Sequence, residues 1–147
     1  MSDAVFDQLN LVARDVDATV AFFRAAGVAI PDGEIWRTAS GAHHVEIEMP
    51  GGASLGIDSE ALAKHYDRGY RATEEVSGRV VINLRVDSRQ AVDGTHERLV
   101  ARGYQVSQPP YDTFWGARYA VFLDPDGNRV GVMSPPDPKR RSAPPAV

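Results

Sequence analysis

The stretch that decides the fold is VFLDPDGNRVGVMSP, residues 121–135. An alternating apolar segment runs into Asp124-Pro125-Asp126-Gly127-Asn128, and RVGVM leaves it. Asp and Asn bond their own backbone and Gly accepts a left-handed conformation, so this is a tight turn between two strands. The second strand carries Gly131 at its centre, where a missing side chain ordinarily weakens a sheet.

The same pattern stands earlier in the chain. Residues 5–28, VFDQLNLVARDVDATVAFFRAAGV, match residues 79–106, RVVINLRVDSRQAVDGTHERLVARGYQV. Each predicts a strand of period two, a helix, a glycine and an apolar re-entry. Leu9-Asn10-Leu11 corresponds to Ile82-Asn83-Leu84, and Gly27 to Gly103. In the first copy Asp15 or Asp17 caps the helix, Val16, Val20 and Phe23 form its apolar stripe, and Gly27 stops it. In the second, Val92, Leu99 and Val100 form the stripe and Gly103 the stop.

Three strands follow each helix: 34–39, 43–49 and 53–58 in the first copy, and 104–107, 117–123 and 128–133 in the second. Pro50-Gly51-Gly52 turns the first copy's last hairpin, as DPDGN turns the second's. SLGID then corresponds to RVGVM, which makes Gly56 the equivalent of Gly131. The predicted unit is βαβββ, twice, over modules 5–58 and 79–134 of a single domain, residues 1–134. The linker 59–78 holds a short helix around 59–66. The tail PPDPKRRSAPPAV, 135–147, with five prolines and a basic triplet, is expected to be disordered.

A hydrophobic content of 43% supports a real core, and a net charge of −4 leaves no basic footprint for nucleic acid. The absence of cysteine excludes disulfides, thiolate nucleophiles and cysteine-ligated metals. No apolar run reaches the ~18–20 residues that span a bilayer, and no signal-peptide pattern precedes Val5. A cytoplasmic protein with no membrane or nucleic-acid partner is expected.

The tandem βαβββ pattern with WGARYAVFLDPDGN (115–128) resembles the vicinal oxygen chelate superfamily of glyoxalases, bleomycin-resistance proteins and dioxygenases. The resemblance implies an α+β fold in which paired modules curl into a half-open barrel, helices outside and a cavity inside. Catalytic members of that superfamily hold a metal with a His or Gln on the first strand of each module and a Glu on each last strand. Carried onto this chain, those positions are Gln8, Gly56, Val81 and Gly131, of which only Gln8 bears a donor. The implied protein is a bleomycin-resistance-like member with no metal and no cofactor, and such members commonly complete their cavities as homodimers.

Strand alternation places Gln8, Asn10, Asn83 and Arg85 toward the cavity, together with His44, Glu46 and Glu48, and with Ser54, Gly56 and Asp58. PPYDTFWGAR (109–118) reads as a loop carrying three aromatics and an Arg, the kind of segment that carries binding groups. The expected ligand-binding residues are Trp115, Phe114 and Arg118, then Asn10, Asn83, Gln8, Glu46, His44, Trp36, Gly56 and Gly131. Aromatics would stack on a small planar ligand, and carboxylates would suit a cationic one. Sequestration of a drug-like compound is the function expected. The alternative is a lyase, isomerase or dioxygenase with an atypical site, in which His44 and Glu46 serve as acid and base.

Overall fold

A computed structural model describes residues 3–72 and 80–146. The start of the second module at 79 and most of the linker's second half lie outside the described residues. Contacts divide the chain into two compact units, one of residues 1–24 with 29–74, the other of residues 25–28 with 75–147.

The first unit begins with strand β1 (Gln8–Ala13) and helix α1 (Val16–Ala25). Asp15 caps the helix through Oδ1, which accepts from the Ala18 amide at 3.1 Å, so Asp15 rather than Asp17 plays that part. Val16, Val20 and Phe23 are buried as their spacing requires, and Phe22 with them. Gly27 has φ +106°, the left-handed stop. Strands β2 (Trp36–Thr38), β3 (Gly41–Glu48) and β4 (Ser54–Ser59) follow, then helix α2 (Glu60–Tyr66), capped by the Ser59 hydroxyl. The sheet order is β1-β4-β3-β2, with β1 parallel to β4 and the other pairs antiparallel. Leu11, Ala13, Val45, Leu55 and Ile57 form its buried face.

The second unit repeats this topology: β5 (Val81–Arg85), α3 (Arg89–Ala101), β6 (Val106–Asp112), β7 (Arg118–Leu123) and β8 (Arg129–Met133), in the order β5-β8-β7-β6. Its parallel pair is again the first strand with the last. The tandem βαβββ expectation therefore holds, as two four-stranded mixed sheets. The DPDGN turn closes as read: the buried Asp124 carboxylate accepts from the amides of Asp126 and Asn128 and from the Asn128 side chain, and Gly127 has φ +84°.

Four details depart from expectation. Val100 is half exposed, and Thr95 takes its place in the buried stripe of α3 with Val92 and Leu99. Residues 92, 95 and 99 keep one helical face, which 100 leaves. His96, a polar residue that a place on a helix would ordinarily leave on the surface, is half-buried with its ring centroid 6.1 Å from that of Phe122. Half of the supposed 109–118 loop is strand: β6 runs to Asp112, because Pro109-Pro110 sits on the sheet's edge, where two register shifts absorb the missing donors.

The tail is the fourth. Pro138–Arg140 form a 3-10 turn capped by Asp137, and the backbone is tied to the 113–116 turn by Asp137 N to Gly116 O and Ser142 N to Phe114 O. Composition marked this segment as unable to build a core of its own. It instead borrows hydrogen-bond partners from the preceding turn.

Candidate functional site

Each sheet has a polar face opposite its apolar one, and the two are built alike. In the first unit Asn10 pairs in register with Gly56, and in the second Asn83 pairs with Gly131. A Cβ at Gly56 would stand 2.8 Å from Asn10 Nδ2, and one at Gly131 would collide with Asn83 Oδ1 and the Tyr119 hydroxyl. The equivalent glycines therefore leave room for equivalent asparagines, whose amides lie across the neighbouring strand. The space over each glycine is filled from within the chain.

On the first face Asp58 is the organising group. It is 1% exposed, yet its carboxylate accepts three side-chain hydrogen bonds: from Asn10 Nδ2 (2.8 Å), from the Tyr66 hydroxyl (3.2 Å) and from His44 Nδ1 (2.5 Å). β3 and β4 place His44 directly opposite Asp58, while α2 delivers Tyr66 at its end. Burial, followed by the charge of Asp58, pushes the Tyr66 hydroxyl above its ordinary pKa. Glu46 is exposed two residues from His44 and lies opposite Gly56, and Gln8 is exposed opposite Ser54. Arg37 pairs with Asp17 and not with Asp58.

The second face carries the aromatics. The Tyr119 hydroxyl donates to Asn83 Oδ1 at 2.8 Å, and burial raises its pKa, the neighbouring Tyr111 adding to the shift. Trp115 stands edge-on to both Phe114 and Tyr119, at 5.1 and 5.8 Å between ring centroids, and its indole N–H donates to Met133 Sδ at 3.4 Å. Tyr111 packs edge-on against Tyr119 at 6.3 Å. Val81, Asn83 and Arg85 are exposed along β5.

Of the residues read from the sequence, the structure gathers Asn83, Gly131, Trp115 and Phe114 on this second face. It gathers Asn10, Gly56, His44, Glu46 and Gln8 on the first. Arg118 departs from both: it turns to the α3 side, where Nε bonds Asp93 at 3.0 Å and Nη1 bonds Asp112 at 3.2 Å. Alternation explains this, since Tyr119 takes the other face. Trp36 stands 5.4 Å from the ring of His43 and, with Ala61, Leu62 and His65, lines an open pocket of about 270 Å³. Asp58 and Tyr66 were not among the expected site residues. Alternation along β4 already gave the direction of Asp58, but Tyr66 comes from the linker, for which the sequence offered no register.

A family profile described as Glyoxalase/Bleomycin resistance protein/Dioxygenase superfamily matches residues 5–132. Among solved structures, a glyoxalase-related enzyme from Fulvimarina pelagi superposes with a TM-score of 0.72 at 21% identity, over 89% of this chain and 88% of that one. A glyoxalase/bleomycin resistance protein/dioxygenase from Nocardioides gives 0.65 at 27% identity, over 93% and 87%. A lactoylglutathione lyase from Agrobacterium tumefaciens gives 0.59 at 21% identity, over 91% and 96%. No curated protein sequence matches the chain.

The metal of catalytic relatives finds no matching donor set. At the four positions carried over stand an amide, two glycines and a valine, and the one buried carboxylate of the first face has its oxygens occupied by three internal donors. Among the described residues no group of three or more His, Cys, Asp or Glu side chains could hold an ion. These residues do not fit a divalent cation, which needs several converging oxygen or nitrogen donors.

Proposed function

The chain belongs to the Glyoxalase/Bleomycin resistance protein/Dioxygenase superfamily, and within it we propose that it is a metal-independent small-molecule binding protein of the bleomycin-resistance kind, sequestering a planar compound. The observation that carries this is the aromatic group on the second unit's polar face. Trp115, Phe114, Tyr119 and Tyr111 stand ring against ring beside β7 and β8. Apolar ring surface with a few placed polar groups is the composition of a ligand site. A cytoplasmic homodimer is part of the same reading, by family resemblance.

Charge divides the two faces. Glu46 and Glu48 have no ion pair among the described residues and favour a cation on the first unit. Arg85 and Arg129, equally unpaired among the described residues, lie on the Gly131 face by strand alternation and favour an anion on the second. The alternative function, a lyase, isomerase or dioxygenase with an atypical site, draws on a separate observation, the His44–Asp58 pair.

Trp36→Phe leaves Trp115 as the single tryptophan, so its fluorescence reports the second face alone. Titration with ethidium, a planar cation, and fluorescein, a planar anion, should quench it. Trp115→Ala removes that indole, so its affinity is read from the polarisation of the dye's own fluorescence, and it should weaken whichever binds by on the order of 1–2 kcal/mol. Equal affinity in that variant would remove the site from the second face.

A further inference from the structure

Two adjacent histidines on β3 have opposite fates. His43 is saturated: Nδ1 bonds the Ser59 hydroxyl at 3.1 Å, and Nε2 lies 2.7 Å from the Thr38 hydroxyl and 3.0 Å from that of Ser40. Its role is structural. His44 is satisfied on one side only. Its Nδ1 meets Asp58, its Nε2 has no partner among the described residues, and its side chain is 35% exposed.

We propose that His44 and Asp58 form a proton-accepting centre on the first unit's polar face, for a planar, conjugated weak acid such as a phenol or an enol. Asp58 already accepts from Asn10 and Tyr66, so it acts as an acceptor toward His44 as well, and the imidazole carries its proton on Nδ1. That fixes the tautomer and leaves the Nε2 lone pair pointing away from the carboxylate. The ligand's O–H bond breaks as the Nε2–H bond forms. The electron pair stays on the ligand as a delocalised oxyanion, and the imidazolium keeps its Nδ1–H bond to the buried carboxylate. Asp58 is a positioning residue, acting through the ring it holds.

The groups around the imidazole are Asp58 on β4, Glu46 on its own strand, Tyr66 on α2 and Asn10 on β1. Glu46 is exposed, so solvent screens its charge from an oxyanion at Nε2, and a cation drawn by Glu46 and a weak acid held by His44 are alternative occupants of this face. A purely structural histidine would not need a buried carboxylate supplied with two further donors. Asn10 and Tyr66 keep Asp58 in place without consuming Nε2, which is the arrangement required to orient a base rather than to fill a core. Trp115→Ala changes none of the residues of this centre, so its failure and that of the planar-ligand reading are separately visible.

Long-range proton–nitrogen correlation spectra of the intact protein read the tautomer directly, with no variant needed. His44 is expected as the Nδ1–H form, and finding Nε2–H would overturn the centre. Diethyl pyrocarbonate, with each histidine resolved by peptide mass spectrometry, should modify His44 roughly ten-fold faster than the saturated His43. In Asp58→Asn the amide can donate to Nδ1, so His44 should change tautomer and lose that advantage. A His44 rate indifferent to this change in a folded variant would also overturn the proposal. Para-nitrophenol tests the ligand class. The wild type should bind it in its coloured, deprotonated form at a pH where the free phenol is neutral, and His44→Gln should not. No coloured bound form at millimolar phenol would overturn the assignment to weak acids.

Discussion

Asn83 lies across Gly131 on the neighbouring parallel strand, so close that a methyl group there would collide with its Oδ1 and with the hydroxyl of Tyr119. Asn10 and Gly56 repeat the relationship in the first unit with a looser fit.

Gly131→Ala should therefore break the Tyr119–Asn83 hydrogen bond and displace both side chains, at a cost of about 1–3 kcal/mol. Gly56→Ala meets only the end of the Asn10 side chain and should cost less. Urea unfolding measures both. Adding Asn83→Ala to Gly131→Ala should restore part of the loss, because the obstructing amide is gone. If the double variant is no more stable than the sum of the single changes predicts, crowding by Asn83 is not why residue 131 is glycine.

The repeat, the glycine equivalence and the faces of β1, β3, β4 and β5 were legible because a period of two leaves few choices. What filled the space over the glycines was not, since that depends on an asparagine rotamer across a parallel pair with long sequence separation. The same limit explains Asp58. Its direction follows from β4, but its three partners come from β1, β3 and α2, which no local pattern brings together. Arg118 falls on an unexpected face because Trp-Gly-x-Arg looks like continuous loop. The start of β7 at Arg118 imposes alternation, which separates it from Tyr119. The tail's docking is invisible in the sequence because the bonds that tie it to the 113–116 turn run from backbone to backbone, and side-chain composition carries no trace of them.

Tyr66→Phe removes one donor from the buried Asp58 while keeping the ring, and should cost about 0.5–1.5 kcal/mol. Asp58→Ala should cost more, about 2–3 kcal/mol, because it strips a common acceptor from Asn10, His44 and Tyr66. Thermal unfolding of the two variants orders them. A larger loss for Tyr66→Phe would place the organising group elsewhere.

Gly116→Ala should release the tail. Gly116 has φ +91°, where a side chain costs about 1–2 kcal/mol. Its missing Cβ is also the space into which the Asp137 carbonyl fits. Lys139, Arg140 and Arg141 offer trypsin three sites in the docked segment. Cleavage there should be slow in the wild type and much faster in Gly116→Ala. Equal rates would mean that the backbone bonds from Asp137 and Ser142 do not hold the segment in solution.

Two aspartates should make stability respond to acid in opposite senses. Burial raises the Asp124 pKa above its ordinary 3.8, against the opposing bonds from Asn128. The native state then holds that proton more tightly than the unfolded chain, so the contribution of Asp124 is full below 3.8 and is lost as pH rises through the folded value. Asp17 is the reverse. The hydrogen bond from Arg37 lowers its pKa against a smaller opposing effect of burial, so its contribution is present above 3.8 and disappears as pH falls through the folded value. The Asp17–Arg37 pair is half exposed and screened by solvent, so the buried Asp124 should dominate the acid response. Asp124→Asn should flatten the stability curve in the window just above pH 3.8, and Asp17→Asn should alter only the more acidic segment. Carboxyl titration by NMR, alongside urea midpoints over an acid series, checks both signs. An Asp124 that titrates at or below 3.8 would show that its bonds within the turn outweigh the loss of water around it.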